Sequence, residues 1–181
     1  LYLSITQHVT HVVSNKPQGA HDSLIEGIFS FDFLHQKKTQ NEEELKDIEA
    51  LRDAFDTCAL ALVSAKATLA SPCLRMLIKT LQTCAYSYSG GSTNEQQAQN
   101  DVNSSELFEE GEKDVYLRRR VISLVLKIVK LVPTAGPSLV GPLLAEHFPH
   151  RFRHVHCIRY YVRGVLEVAR ELPRISSDLV A

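Results

Sequence analysis

The sequence lacks several features that mark particular classes of protein. It contains no Trp and a single Met, and its four cysteines lie far apart without paired spacing, at Cys58, Cys73, Cys84 and Cys157. Cysteines without such spacing favour a reducing compartment, the cytosol or the nucleus. The hydrophobic fraction of 44% is still enough for a continuous core in a chain of 181 residues.

Long hydrophobic runs are also missing. The most apolar stretch, 121–132, is interrupted by Ser123, Lys127 and Lys130, and it is shorter than the roughly 20 residues of a membrane-spanning helix. Residues 1–13 lack the basic lead-in of a signal peptide. The sequence therefore predicts no membrane association, and its first residue, Leu1, indicates a fragment or a trimmed product.

Motifs of catalysis are absent as well. There is no nucleophile elbow, phosphate-binding loop or His-Glu-x-x-His pattern, so we expect neither an enzyme nor a cofactor. The one dense cluster of metal-capable side chains has a spacing that fits no structural zinc pattern. A metal-dependent enzyme built on this cluster is the weakest functional hypothesis. Its members are His147, His150, His154, His156 and Cys157.

What the chain does contain is helical periodicity. Apolar residues at 121, 124, 125, 128, 131 and 132 follow the spacing of one helix face, and Pro133 ends the pattern. A turn and a second short helix over 137–148 should follow. Further helices are predicted over 1–13, 22–34, 41–65, from Pro72 through 81 and over 158–172, with the beginning of another at 177–181.

The helical pattern recurs along the chain. A shift of forty residues places 125–133 on 165–173, so that Pro133 matches Pro173 and Lys130 matches Arg170. A period near forty built from two helices is typical of HEAT and armadillo proteins. Two unrelated amphipathic helices would also match at their apolar positions. We predict an all-α, HEAT/armadillo-like α-solenoid of antiparallel helix pairs that forms a single unit over 1–181, with an exposed apolar end where a next repeat would stack.

One segment interrupts the helices. Residues 89–113 are rich in Gly, Ser, Asn, Gln and Glu and show no periodicity, so we expect a disordered acidic insertion. Ser104 and Ser105 lie beside several glutamates, a setting that acid-directed kinases favour. These two serines are candidate phosphorylation sites, although an inert loop fits the same composition.

Charge is unevenly distributed. From Tyr116 onward there are eleven Lys or Arg against four Asp or Glu, whereas the preceding residues are acidic. This asymmetry fits either a basic surface for a protein partner or a solvated helical face. Three adjacent arginines point in different directions around a helix, which argues against direct nucleic-acid binding as the main role. The candidate partner-binding residues are Arg118, Arg119, Ser138, His150, Arg151, Phe152 and Arg153.

Three stretches resemble one known family. They are Val63-Ser64-Ala65-Lys66 with the following 72–76, then 131–149 with its Val-Pro turn, Leu-rich helix and Phe148-Pro149, and finally 161–168 with Leu172-Pro173. In these the chain resembles the RNA polymerase I-specific transcription initiation factor family, known as TIF-IA. The resemblance runs from about Ala65 to Val180, while residues 1–62 fit only as helices of suitable length.

The resemblance implies a HEAT-repeat solenoid that binds RNA polymerase I subunits and links the enzyme to promoter-bound initiation factors, in the nucleus and nucleolus. It also implies phosphorylation control at Ser104 and Ser105, although the insertion is less densely acidic than in the family. The family's carboxy-terminal repeats are not represented. The alternative hypothesis is a HEAT- or armadillo-type scaffold of another pathway, such as transport or translation.

Overall fold

A computed structural model of the chain describes residues 27–29, 42–89, 112–150 and 155–173. Helices account for nearly all of these residues. Within these ranges there is no β-strand, so the all-α prediction is confirmed. The four long helices are α1 (Glu42–Ala65), α2 (Ala70–Ser89), α3 (Glu112–Leu131) and α4 (Val155–Glu171). None of the helices in the described ranges is both long and apolar enough to cross a bilayer.

The predicted insertion, 89–113, is helical at both of its ends. Ser89 is the last residue of α2, and Glu112 and Lys113 begin α3, so these residues are helical. The prediction of disorder for 90–111 lies outside the described residues. The same holds for the helices predicted over 1–13 and 177–181 and for most of 22–34, of which only 27–29 are described and are helical.

The ends of the helices repeat, as the sequence pattern indicated. Helix α3 ends at Leu131 and α4 at Glu171, forty residues apart. In each case the next residue continues the helical bonding, with Val132 N–H donating to Ile128 at 2.9 Å and Leu172 N–H to Val168 at 3.0 Å. The Pro that follows, lacking an N–H, cannot extend this ladder.

Helix α1 ends in the same way. Lys66 N–H donates to Leu62 at 3.0 Å, and a 3₁₀-helix follows over Ala67–Leu69. The corresponding 3₁₀-helix after α3 spans Pro133–Leu139. The two helix ends, Ala65 and Leu131, are sixty-six residues apart, one more than the sequence alignment of Pro72 with Pro137 implied. Helix α2 also begins at Ala70, so Pro72 lies in its first turn instead of opening it.

The segment after α3 is not the regular short helix that the sequence predicted over 137–148. It is divided into the 3₁₀-helix Pro133–Leu139 and a π-helical turn, Pro142–Glu146, closed by His147 N–H donating to Pro142 O at 3.1 Å. Prolines at 133, 137 and 142 remove three backbone donors within ten residues, so a continuous i to i−4 ladder cannot form.

Helix α2 lies at the centre of the packing. It contacts α3, α4, both 3₁₀-helices and the π-helical turn, while α1 packs against α3 and α2. Leu74, Leu77, Ile78 and Leu81 are at most 1% exposed, and together they supply much of the hydrophobic stabilisation, at about 1.5–3 kcal/mol for each fully buried side chain. This burial fixes the positions of the neighbouring helices.

The buried faces differ from the predicted stripes at two positions. Leu131 was expected in the core, but it is 51% exposed, although Ile128 and Val129 of the same turn are buried. Conversely, Arg52 of α1 is only 4% exposed and lies on the same face as Phe55, Ala59 and Leu62. A charged residue on the buried face requires a partner.

The four cysteines are free thiols. Cys73, Cys84 and Cys157 are buried, and Cys58 is partly buried against the core. Burial raises the pKa of the Cys73 thiol to about 12, so this residue is protonated at neutral pH and behaves as a small apolar side chain.

Gly164 of α4 marks the closest approach of three helices. A Cβ atom at this position would lie 3.0 Å from Cδ2 of Leu81 on α2 and 3.6 Å from Cδ of Arg118 on α3. Because Leu81 is fully buried, it has little room to move, so Gly164 sets the spacing between α4 and the other two helices.

We predict that Gly164→Leu lowers the free energy of unfolding by about 1–3 kcal/mol, because the added side chain has to displace the packed Leu81. Urea denaturation followed by circular dichroism measures the change. The matched control is Ala50→Leu, which adds the same bulk at an exposed position of α1 and should change stability by less than about 0.5 kcal/mol. Equal denaturation midpoints for the two variants would contradict the role of Gly164 in the close packing of α4 against α2 and α3.

Candidate partner-binding surface

The arginine triplet of α3 sends its three side chains in three directions, as expected from the helical geometry. Arg118 packs towards α4 and Arg120 towards α1, while Arg119 is exposed. The triplet therefore does not present one continuous basic patch. Two of its members connect helices, and only the middle one is available on the surface.

Arg118 was a candidate for partner binding on the assumption that it is exposed, and that assumption is wrong. Its side chain is 5% exposed, and its Nη2 and Nε atoms each lie 3.2 Å from Oε1 of Glu167. The guanidinium carbon also lies 5.1 Å from the centre of the Tyr160 ring, within the range of a cation–π interaction. Arg118 thus joins α3 to α4 from inside the structure.

Arg120 forms a denser set of contacts with α1. Its Nη2 lies 2.7 Å from Asp53 Oδ1 and 2.8 Å from Asp56 Oδ2, and its Nη1 lies 3.3 Å from Glu49 Oε2. Tyr116 contributes from the preceding turn of α3, donating from its hydroxyl to Glu49 Oε2 at 2.7 Å. This cluster, called here the α1–α3 ion cluster, fixes the rotation of α3 relative to α1.

The ion cluster extends inward through Arg52. Arg52 Nη1 pairs with Glu49 Oε1. Its Nε and Nη2, and Oδ1 of Asp56, are buried and have no hydrogen-bond partner among the described residues. Burial raises the pKa of Asp56 above its ordinary value, and the charge of Arg120 opposes that rise. The carboxylate of Asp56 therefore depends on Arg120 for its charged form.

A second surface lies between α3 and α4. It is an open groove of about 540 Å³, here called the α3–α4 groove, and four of its lining residues are cationic. Three come from α3 and one from α4, namely Arg119, Lys127, Lys130 and Arg170. Lys130 and Arg170 are the pair that the forty-residue repeat aligned. The sequence therefore contained a signal for two of the groove cations, Lys130 and Arg170. Of the four, however, only Arg119 was among the residues predicted to bind a partner.

Of the other predicted partner-binding residues, Ser138 and His150 are described, and neither lines this groove. Ser138 is half-buried in the second 3₁₀-helix and donates its hydroxyl to Ala135 O at 2.6 Å, so it supports the turn. His150 is exposed. Arg151, Phe152 and Arg153 lie outside the described residues, as do the candidate phosphorylation sites Ser104 and Ser105. Whether these residues form one site with Arg119 therefore stays a prediction.

The π-helical turn is connected to α2 by a bidentate ion pair. Arg75 Nε lies 3.1 Å from Glu146 Oε2, and Arg75 Nη2 lies 3.1 Å from Glu146 Oε1. Next to it, burial lowers the pKa of His147, which keeps this imidazole neutral at neutral pH. The neighbouring Tyr161 donates its hydroxyl to Leu143 O at 3.1 Å. These contacts position the turn on the helices.

A cavity beside the ion cluster, between Arg52, Asp56, Thr80 and Arg120, measures about 20 Å³, which is close to the size of a single water molecule. No group of three or more His, Cys, Asp or Glu among the described residues is arranged to hold a metal ion.

The fold and these surfaces define an all-helical protein whose most accessible chemistry is charge. The model of one protein family, described as RNA polymerase I specific transcription initiation factor RRN3, matches residues 3–181. The chain therefore belongs to this family of RNA polymerase I-specific initiation factors, which confirms the resemblance. No match was found among curated proteins or among solved structures. Membership of the family indicates a nuclear role in transcription initiation with the RNA polymerase I machinery.

We predict that Arg120→Met lowers the free energy of unfolding by about 2–3 kcal/mol, because it leaves Asp56 partly buried without its counter-charge. Chemical denaturation measures the loss. The adjacent Arg119→Met is the matched control, since Arg119 is exposed and its replacement should cost less than about 0.5 kcal/mol. Similar losses of stability in the two variants would contradict the stabilising role of the ion cluster.

The stability lost in Arg120→Met should depend on pH. Without Arg120, the pKa of Asp56 in the folded protein should rise further above its unfolded value, so protonation favours the folded state and stability is lost as pH rises through that pKa. We therefore expect a smaller deficit at about pH 5 than at about pH 8. In Arg120→Met/Asp56→Asn this pH dependence of the deficit should disappear, and its persistence would assign the effect to other groups.

Proposed function

We propose that this chain is a non-enzymatic adaptor that binds RNA polymerase I and recruits it to promoter-bound initiation factors for transcription of ribosomal RNA genes, in the nucleolus. The observation that carries the proposal is the family match, which extends over residues 3–181. A match over nearly the full length of this chain supports the presence of at least part of the family's helical framework. Binding of the polymerase is the simplest activity for such a framework.

We further propose that the helices form part of a HEAT-type solenoid. Support comes from the repeated helix ends, where Leu62, Ile128 and Val168 each accept a hydrogen bond from the residue four positions later, just after the last helical residue. In the first two cases a 3₁₀-helix follows directly. The last two ends are forty residues apart and the first two sixty-six, and equivalent ends of this kind are expected of a repeated helix–turn–helix unit.

The polymerase-binding surface in this proposal includes Arg119 and His150, which are both exposed, together with Arg151, Phe152 and Arg153 of the basic corner predicted from the sequence. Arg118 does not belong to it, because its guanidinium already pairs with Glu167 inside the helix packing. Ser138 contributes indirectly, through the turn that it holds.

The first test is the affinity of the 181-residue chain for purified RNA polymerase I, measured by biolayer interferometry over a range of salt concentrations. We expect binding that weakens with salt, because charged surfaces are involved, and no comparable binding to RNA polymerase II as the control. Equal affinity for the two polymerases, or none for either, would contradict a specific polymerase contact in this part of the protein.

Phosphorylation of Ser104 and Ser105 is proposed to regulate this binding, since each phosphate adds up to two negative charges to an acidic segment. The variant Ser104→Asp/Ser105→Asp should change the affinity for RNA polymerase I by a factor of about three or more, whereas Ser104→Ala/Ser105→Ala should leave it unaltered. The same binding assay measures both variants. If the Asp variant binds like the parent chain, the segment has no such role.

A further inference from the structure

The α3–α4 groove carries a row of cations that the rest of the described structure does not neutralise. Arg119 and Lys130 form no hydrogen bond or ion pair with another described residue, and Lys127 has only a longer-range attraction to Asp56. All three are exposed. Their positive charge is therefore available to a ligand, unlike that of Arg118 and Arg120.

The spacing of these cations indicates how long a peptide the groove can hold. Arg119 and Lys130 are eleven positions apart on α3, which corresponds to about 16 Å along a helix. A fully extended peptide covers about 16 Å in five residues. Carboxylates that alternate along such a peptide come at intervals of about 7 Å, so two or three of them fit the length of the row.

The groove is not purely charged. Ile122 and Leu126 also line it, and they form an apolar floor between Arg119 and Lys130. Ile122 is 5% exposed, and Leu126 is partly buried against the core. A ligand that fits both features has acidic side chains for the cations and apolar side chains for the floor.

The opposite wall of the groove favours a peptide over a nucleic acid as the ligand. Glu167 and Glu171 of α4 line the groove together with Arg170. Glu167 is held by Arg118 at 3.2 Å and Glu171 by Arg170 at 3.0 Å, so they leave the α3 cations unneutralised. Their carboxylates weaken the attraction of any anion, so a ligand needs contacts with the apolar lining as well, which alternating acidic and apolar side chains supply and a phosphate backbone does not.

We propose that the α3–α4 groove binds a linear acidic segment of a protein partner in which acidic and apolar side chains alternate. The carboxylates pair with Arg119, Lys127 and Lys130, and the apolar side chains contact Leu126. Recognition of an acidic motif by a cluster of cations follows established modes of peptide binding. The inference rests on the proposed adaptor function, since it assigns a chemical class of partner to one surface of the adaptor.

The test uses fluorescein-labelled synthetic peptides and the 181-residue chain, with binding measured by fluorescence anisotropy at low and at moderate salt. The first peptide consists of four Glu-Leu repeats and the second of four Glu-Gly repeats, so the two carry the same charge. We expect the Glu-Leu peptide to bind and to weaken with salt, and the Glu-Gly peptide to bind at least threefold more weakly. Equal binding of the two peptides would overturn the role of the apolar floor.

The variant Arg119→Glu/Lys130→Glu should weaken binding of the Glu-Leu peptide by at least about tenfold. Its matched control is Lys46→Glu/Arg159→Glu, which makes the same change in net charge at exposed positions of α1 and α4 outside the groove lining. The milder Arg119→Gln/Lys130→Gln gives a second measurement with less disturbance of the helix, and thermal unfolding checks that each variant is folded. If the control variant lost as much affinity for the peptide, the effect would come from net charge alone, and the proposal would be overturned.

Two further outcomes would overturn the proposal. One is the absence of peptide binding by the parent chain. The other is tighter binding of a labelled single-stranded oligothymidylate than of the Glu-Leu peptide, lost in Arg119→Glu/Lys130→Glu, which would assign the groove to nucleic acid. Because the assay contains no polymerase, failure of the groove proposal is distinguishable from failure of the adaptor proposal, which the polymerase affinity measurement decides.

Discussion

The pairing of two arginines in helix α3 constrains the whole arrangement of the helices around it. Arg118 and Arg120 are two positions apart and are withdrawn from solvent, so each needs an anionic partner to offset the cost of desolvation. Glu167 of α4 meets the first and Asp53 and Asp56 of α1 meet the second. Since the two side chains leave α3 in different directions, satisfying both sets the rotation of α3 relative to its neighbours.

That rotation also determines which charges remain for function. With Arg118 and Arg120 turned into the packing, Arg119 faces outward in line with Lys127 and Lys130 and completes the α3–α4 groove. The same constraint leaves Arg118 unavailable to a partner. Among the described residues, the fold therefore divides a basic sequence segment into cations that hold helices together and cations that stay exposed, and only the second set adds to the attraction of a partner.

Family membership supports a role in transcription initiation, and the described residues show two kinds of space on the molecule. The described residues enclose a cavity of only about 20 Å³ beside the ion cluster, well below the volume of an ordinary ligand site. The larger depression, the α3–α4 groove, is open and charged. Charged surfaces of this kind are suited to contacts with other macromolecules, which agrees with the transcription initiation family to which the chain belongs.

The sequence by itself determined the all-α class, the ends of the helices at prolines and the correspondence of Lys130 with Arg170. These follow from local rules, because periodicity and the missing N–H of Pro act over a few residues. The burial of Arg52, the exposure of Leu131 and the division of the segment after α3 were decided by tertiary structure. Whether a cation is buried depends on an anion far along the chain, and Glu167 lies forty-nine positions from Arg118. No local pattern contains that pairing, which is why the groove became visible only once α3 and α4 lay side by side.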